Sequence, residues 1–213
     1  GNTVESLISG ARIEVNSKQE SSLDFALWKK TDEGIKWNSP FGEGRPGWHT
    51  ECCVMINSIF SSQDGFIDIH GGGFDLKFPH HENEIAQSRA HNNNRLARYW
   101  IHNGFINIDN QKMSKSLGNV LNAKDVIAKW GGMPFRLMVL NTHYRAPLSF
   151  TNETIEEAVK SYAKINQTIK GLAIKLQLAD IDLSSIKIRG DESFYKEMCN
   201  DLNTPNALTI LYA

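Results

Sequence analysis

The sequence predicts an α/β fold that gives way to an all-helical segment. Three observations carry that reading: short β-branched and aromatic runs, apolar residues in helical register between them, and a long helical stripe after about Pro147. Strands that alternate with helices in this way build a largely parallel sheet, because parallel neighbours need a crossover between them.

The elements follow in order. "DFALWKK" and "FIDIH" have the content and partial alternation of strands. Residues 48–60, within "GWHTECCVMINSIF", repeat their apolar positions at helical spacing after a turn at "GRPG". "FPHHENEIAQSRA" reads as a second helix, with Pro79 in its first turn, where no amide hydrogen is needed. "YWIHNGFINID" returns to strand, and "NQKMSKSLGN" is a polar loop. "NAKDVIAKW" is a short helix capped by Asn122 and ended by Gly131 and Gly132, and "PFRLMVLNTHY" is another. From Thr151, residues Ile155, Val159, Tyr162, Ile165, Ile169, Leu172 and Leu176 keep one helical stripe. Glutamates crowd its start and lysines its end, which complements the helix dipole. "NTPNALTILYA" opens a further helix, with Thr204 as N-cap and Pro205 at the first position. The expected boundary therefore lies near 147, between an α/β part (1–147) and a helical part (148–213).

Composition narrows the function classes. Among 213 residues, 40% are hydrophobic and 22% charged, as in ordinary globular chains. A net charge of -1 excludes indiscriminate coating of nucleic acid but leaves room for a local basic face. No apolar run approaches the roughly 18 residues that span a bilayer. The N-terminal residues have neither the basic flank nor the apolar stretch of a secretory signal. Three cysteines, two of them adjacent, are not a disulfide framework, so a reducing, cytoplasmic setting is expected. Cys53 and Cys199 read as small packing groups. The missing initial Met, and an end inside a helical pattern, predict a piece of a longer chain.

The chemistry concentrates in "HGGGFDLKFPHHENE", His70 to Glu84. His80 and Glu84 are four residues apart on a helix and share a face, so together they can grip one metal ion. Cys52, near another helix start, can add a thiolate, and a mixed S, N, O shell suits zinc. The alternative is that His80, His81, Glu82 and Glu84 simply solvate an acid-favouring first turn. Gly71, Gly72 and Gly73 after the strand "FIDI" offer close backbone approach and positive φ to a nucleotide, or else only a turn. Asp75 can hold a substrate ammonium or a ribose hydroxyl, and His70 can donate a hydrogen bond or carry a proton. In "KMSKS", residues 112–116, Lys112 and Lys115 can surround phosphates and stabilise charge developing at phosphorus, unless the loop is only a solvated one.

"KMSKS" is the signature loop of class I aminoacyl-tRNA synthetases. Together with "GRPGWHTEC", "DIHGGGFDLKFPHHENEIAQS" and "KMSKSLGN" in this order, the chain resembles the cysteinyl-tRNA synthetases. The similarity runs from "SGARIEV" and "LDFALWK" to "HYRAPLSF" and "DLNTPNAL". The resemblance implies the C-terminal half of a Rossmann-like class I catalytic domain, followed by the start of a helical bundle. It also implies ATP-dependent activation of L-cysteine and its transfer to tRNA(Cys), in a cytoplasmic monomer with one Zn2+ and with Mg2+ accompanying ATP. Cys52, His80 and Glu84 match metal ligands; Trp48, His70 and Asp75 match the cysteine pocket. Lys115 and Lys112 match the ATP loop, with Gly72 and Gly73 beside the nucleotide, and Lys112, Lys115 and His70 are the expected catalytic groups. A fourth, cysteine ligand and a "HIGH"-type motif of the family are not in this sequence, nor is an anticodon-binding region. A fragment that is inactive alone is therefore expected. Two rivals share the motifs: a cysteine ligase of the mycothiol-biosynthesis type, and a non-catalytic zinc- or RNA-binding remnant.

Overall fold

The structure, a computed structural model, describes residues 20–21, 23–108, 111–113, 120–182, 184 and 190–213, with backbone only at 111 and 112. The chain falls into two compact units, one up to His102 and one over Asn103–Ala213. The expected change of character near Pro147 lies inside the second.

In the first unit, β1 (Trp28–Lys30) pairs antiparallel with β2 (Gly44–Pro46), so only the end of "DFALWKK" is strand. Helix α1 (Trp48–Ile59) follows, close to its expected span, and packs on α2 (Glu82–Asn92). Between these helices runs β3 (Ile67–Gly73), which joins β4 (Ala97–Asn103) in a two-stranded sheet. The glycine triplet is therefore the end of a strand and not the turn expected of it. None of the three glycines takes a positive φ. A tight turn, Phe74–Leu76, and a wide turn, Lys77–His81, then lead into α2. Phe78 is extended within the wide turn, so Pro79 stands ahead of the regular helix instead of in its first turn.

The second unit holds a three-stranded sheet in the order β6–β5–β7. Strand β5 (Ile106–Ile108) runs parallel to β7 (Leu148–Phe150) and antiparallel to β6 (Gln111–Lys112). The single strand expected over "YWIHNGFINID" is thus two strands of different sheets, β4 and β5. Helices α3 (Ala123–Trp130), α4 (Gly132–Leu140) and α5 (Asn152–Leu178) close over this sheet. Their core is Val126, Met138, Phe150, Ile155 and Ala158, margined by Leu121, Trp130, Phe135 and Leu148. Burying each larger side chain contributes about 1.5–3 kcal/mol, which fixes the base of α5 against α3 and α4.

Caps decide where the helices begin. Thr151 accepts from the Thr154 N–H at 3.2 Å while Thr154 Oγ1 accepts from the Thr151 N–H at 2.9 Å. Two of the four orphan donors of α5 are satisfied in that exchange. Asn122 does occupy the N-cap of α3, but its side chain donates to Asp125 at 3.1 Å instead of accepting from the helix. Helix α6 (Glu192–Cys199) is capped by Asp191. In α7 (Thr204–Tyr212) the cap is Asn203, which accepts from the Asn206 N–H, and not Thr204 as expected. Both residue types cap well, so only the local backbone chooses between neighbours.

Candidate metal and substrate site

Glu84 is the centre of the site. It lies in the first turn of α2 and is fully buried at 0% exposure. Its Oε1 is 3.1 Å from His80 Nε2, one helical turn earlier, and its Oε2 is 3.0 Å from His70 Nε2 on β3. Cys52, in the first half of α1, brings its Sγ to 3.7 Å from His80 Nε2. The donor atoms of Cys52, His80 and Glu84 all lie within 4.8 Å of one another, as do those of His70, His81 and Glu84. Helix α1, the wide turn and strand β3 thus each deliver one face of a pocket around a single carboxylate.

By distance, each Glu84 oxygen faces an imidazole. By direction, neither ring N–H completes a hydrogen bond, and both oxygens are buried without a hydrogen-bond partner. An acceptor off the N–H axis gains little, so the two imidazoles leave the carboxylate short of hydrogen bonds. A buried carboxylate left in this state is costly unless a cation neutralises it. The separations of 3.7 and 3.1 Å bracket the roughly 3.5 Å between neighbouring ligands of a tetrahedral zinc, and the donors are of the types zinc takes. The residues present therefore fit a zinc ion, and Cys52, His80 and Glu84 are the set that spans S, N and O.

The proton affinities follow from burial and from this one negative charge. Burial and then the Glu84 charge push the Cys52 thiol up to about 11. Burial works to raise Glu84, but the His70 imidazole 3.0 Å away, and then the charge of His80, outweigh it and leave the carboxyl below its ordinary value. Burial holds His81 down at about 4 despite the pull of Glu84. Its imidazole is neutral over the physiological range.

Of the other expected residues, Trp48 lays its ring 4.3 Å from that of His80 while remaining 54% exposed, which makes it a lid on one side of the cluster. Gly72 is needed for a reason the sequence did not disclose: a Cβ there would stand 2.9 Å from Leu76 and 3.0 Å from the His81 ring. Gly73 and Asp75 meet at the strand end, with Asp75 exposed on the surface in the turn after it. Lys112 lies on β6 opposite Asn107, and Lys115 is outside the described residues.

Three residues of the cluster, His49, Trp100 and His102, were not singled out from the sequence, and His81, which the alternative reading put in solvent, is buried. His49 places Nδ1 2.7 Å from His80 Nδ1. His81 and His102 approach to 2.8 Å, and the Trp100 ring lies tilted against those of His70 and His81, with centroids 4.8 and 5.1 Å away. The available signal was the alternation in "YWIHN", which puts Trp100 and His102 on one face of a strand. On α1, His49 and Cys52 are three apart and share a face.

Residues 1–160 match the family model of the tRNA synthetases class I (C) catalytic domain. A cysteine–tRNA ligase of Acholeplasma laidlawii is 48% identical over 98% of this chain and 47% of its own length. Another, of Persephonella marina, is 47% identical over 99% of this chain and 44% of its own length. The chain thus spans about half the length of the curated relatives it matches. Among solved structures, the ternary complex of Agrobacterium radiobacter K84 agnB2 LeuRS–tRNA–LeuAMS superposes with a TM-score of 0.61 at 14% identity, over 85% of this chain and 30% of that one. The fold is that of a class I synthetase catalytic domain. By the family model and by these relatives together, the chain belongs to the class I (C) tRNA synthetase catalytic-domain family.

Proposed function

We propose that this chain carries the cysteine-recognising and phosphate-binding half of a cysteine–tRNA ligase. In this reading the catalytic part extends to about 147 and a helical part from 148 leads towards the tRNA. The carrying observation is the Cys52, His80 and Glu84 trio, set around a buried, under-satisfied carboxylate. Its support is the likeness, over nearly the whole chain, to relatives named for that activity. Cys52, His80 and Glu84 would hold zinc, which when bound supplies a soft Lewis acid for a substrate thiolate. His49 buttresses His80, Trp48 covers it, and the neutral His81 and Trp100 close the wall around His70. Asp75 meets the substrate ammonium, and Gly72 and Gly73 offer backbone to the nucleotide at the end of β3.

Chemistry then proceeds by displacement. The cysteine carboxylate oxygen attacks the α-phosphorus of ATP, and the bond to pyrophosphate breaks as pyrophosphate leaves; Mg2+ accompanying ATP would offset part of the leaving group's charge. Lys112 and Lys115 stabilise the charge gathering on the phosphoryl oxygens. His70 donates a hydrogen bond to, or holds a proton near, the bound amino acid. A ribose hydroxyl of the terminal adenosine of tRNA(Cys) next attacks the carbonyl and releases AMP. A site built on a specific polar partner rejects analogues lacking it by about 10⁴–10⁵, so serine should not be activated. No helix among the described residues is long and apolar enough to cross a membrane, and the reading assigns a cytoplasmic monomer.

The test is charging of tRNA(Cys) with labelled cysteine by the complete protein in the presence of zinc. Cysteinyl-tRNA is expected. Cysteine-dependent pyrophosphate exchange without charging would move the acceptor to a small amine, and the absence of both would defeat the reading.

A further inference from the structure

Among the described residues, a dense polar contact outside the site is in the second unit, where one exposed aspartate gathers a whole turn. Asp201 Oδ2 accepts from Arg145 Nε at 2.5 Å, and its Oδ1 accepts from Arg145 Nη2 at 3.1 Å and from the Tyr144 hydroxyl at 2.6 Å. The Asp201 carbonyl accepts from His143 Nε2 at 2.9 Å. Arg145 also lies over the Tyr144 ring, 5.0 Å from its centroid. Asp201 and Leu202 both have φ of 55°, in the left-handed region that opposes any Cβ. Two successive non-glycine residues persist there only when their surroundings over-determine them. Leu202 is 46% exposed, so deep apolar burial is not the reason for the backbone conformation. A glycine or asparagine would end α6 more cheaply. What Asp201 adds is a carboxylate aimed at residues 144 and 145.

The clasped turn is itself pressed onto the strand that leads to the lysine segment. The Gly104 N–H donates to the Tyr144 carbonyl at 2.7 Å, and the Leu148 N–H donates to the Phe105 carbonyl at 2.9 Å. A Cβ on Gly104 would stand 2.2 Å from the Ala146 carbonyl oxygen, so the two backbones touch. Gly104 and Phe105 open directly into β5. Strand β5 pairs with β6 at Asn107–Lys112, and the Met113 N–H donates to Ile106 at 3.1 Å. From Asp201 to the backbone of Lys112 each step is a hydrogen bond or a few residues of chain.

We infer that Asp201 is a positioning residue for β6 and the backbone of Lys112. By clasping His143, Tyr144 and Arg145 it sets where β5 and β6 stand, and it ties that setting to the α6–α7 hairpin. An exposed ion pair adds little to stability, so the role of this fork-shaped one is registration. The positioning role rests on the adenylate-forming chemistry proposed above for Lys112.

The test compares D201N, R145Q and the double variant in the complete protein. Amide hydrogen exchange is expected to quicken at 104–108 and 111–113 in each single variant and to remain unchanged at 67–100. Cysteine-dependent pyrophosphate exchange is expected to lose about ten- to a hundredfold in kcat with a raised KM for ATP, while zinc content and KM for cysteine hold. The double variant should cost no more than the worse single one. Unchanged exchange at 104–113 overturns the inference, as does a uniform loss of zinc, cysteine affinity and turnover. If the wild-type protein shows no cysteine-dependent pyrophosphate exchange, the proposed function fails, and the hydrogen-exchange result alone then decides the clasp.

Discussion

In the first unit the buried side chains are largely polar: His80, His81, Asn83, Glu84 and Ser88 stand with Cys53, Leu96 and Ala97. In the second they are Val126, Pro134, Leu137, Met138, Phe150, Ile155, Ala158 and Ala207, and every buried polar or charged residue among the described ones belongs to the first. Two carboxylates sharpen the contrast. Glu84 is sealed from solvent with neither oxygen hydrogen-bonded, whereas Asp201 is 47% exposed and accepts three side-chain donors. An interior of the first kind is held at the expense of stability and gains a place for a cation. One of the second kind holds a shape, and its charges are left outside to tie segments together.

The largest expected effect breaks the first interior. Glu84→Ala should lower zinc affinity by more than about a hundredfold, since even an outer partner of a metal ligand is worth 10- to 100-fold. Metal analysis of the complete protein after dialysis checks it, and full retention of zinc would show that Glu84 is no ligand. The matching cut in the second interior is Ile155→Ala, at a side chain with 0% exposure. It should cost about 2–5 kcal/mol in urea unfolding while leaving zinc bound.

Gly72→Ala comes next. The added methyl meets Leu76 and the His81 ring, so a loss of about 1–3 kcal/mol is expected, with displaced imidazole signals of His81 by NMR. A neutral outcome would mean that the wall around His70 yields more readily than a packed core. The smallest effect concerns acid. Hydrogen bonds from Arg145 and then Tyr144 hold Asp201 at about 2, against an ordinary 3.8. A depressed carboxylate stabilises the fold above its unfolded value, so its contribution is complete above about pH 4 and fades as pH falls towards 2. D201N should flatten that part of an acid-unfolding curve monitored at α6 and α7.

Local patterns were legible and pairings were not. The spacing of His80 and Glu84, the apolar register of α1 and the run from Thr151 are set within a few residues, and the structure keeps all three. The glycine triplet misled because a turn is the ordinary use of three glycines, and only the neighbouring β4 draws them into a strand. His102 and Trp100 join the cluster through that same pairing, which no local spacing states. Phe78 and Pro79 shift the helix start through backbone geometry that leaves His80 and Glu84 facing one another. The choice of Asn203 over Thr204 as a cap is likewise made by the left-handed turn before it, not by side-chain preference.

Helix α5 has 27 residues, close to 40 Å at 1.5 Å each, and its buried side chains, Ile155 and Ala158, lie in its first two turns. Beyond them Ile169, Leu172, Ile174 and Leu178 are more than half exposed. Mechanically it is a lever pivoted near one end. A tilt of about 5° at the Thr151 cap would sweep the far end through about 3.5 Å, a distance that matters on the scale of a single hydrogen bond. Because that base abuts β7, and β7 is the parallel partner of β5, the anchored end of the helix and the sheet that carries Lys112 share one packed region, while the distal two-thirds stand clear of it.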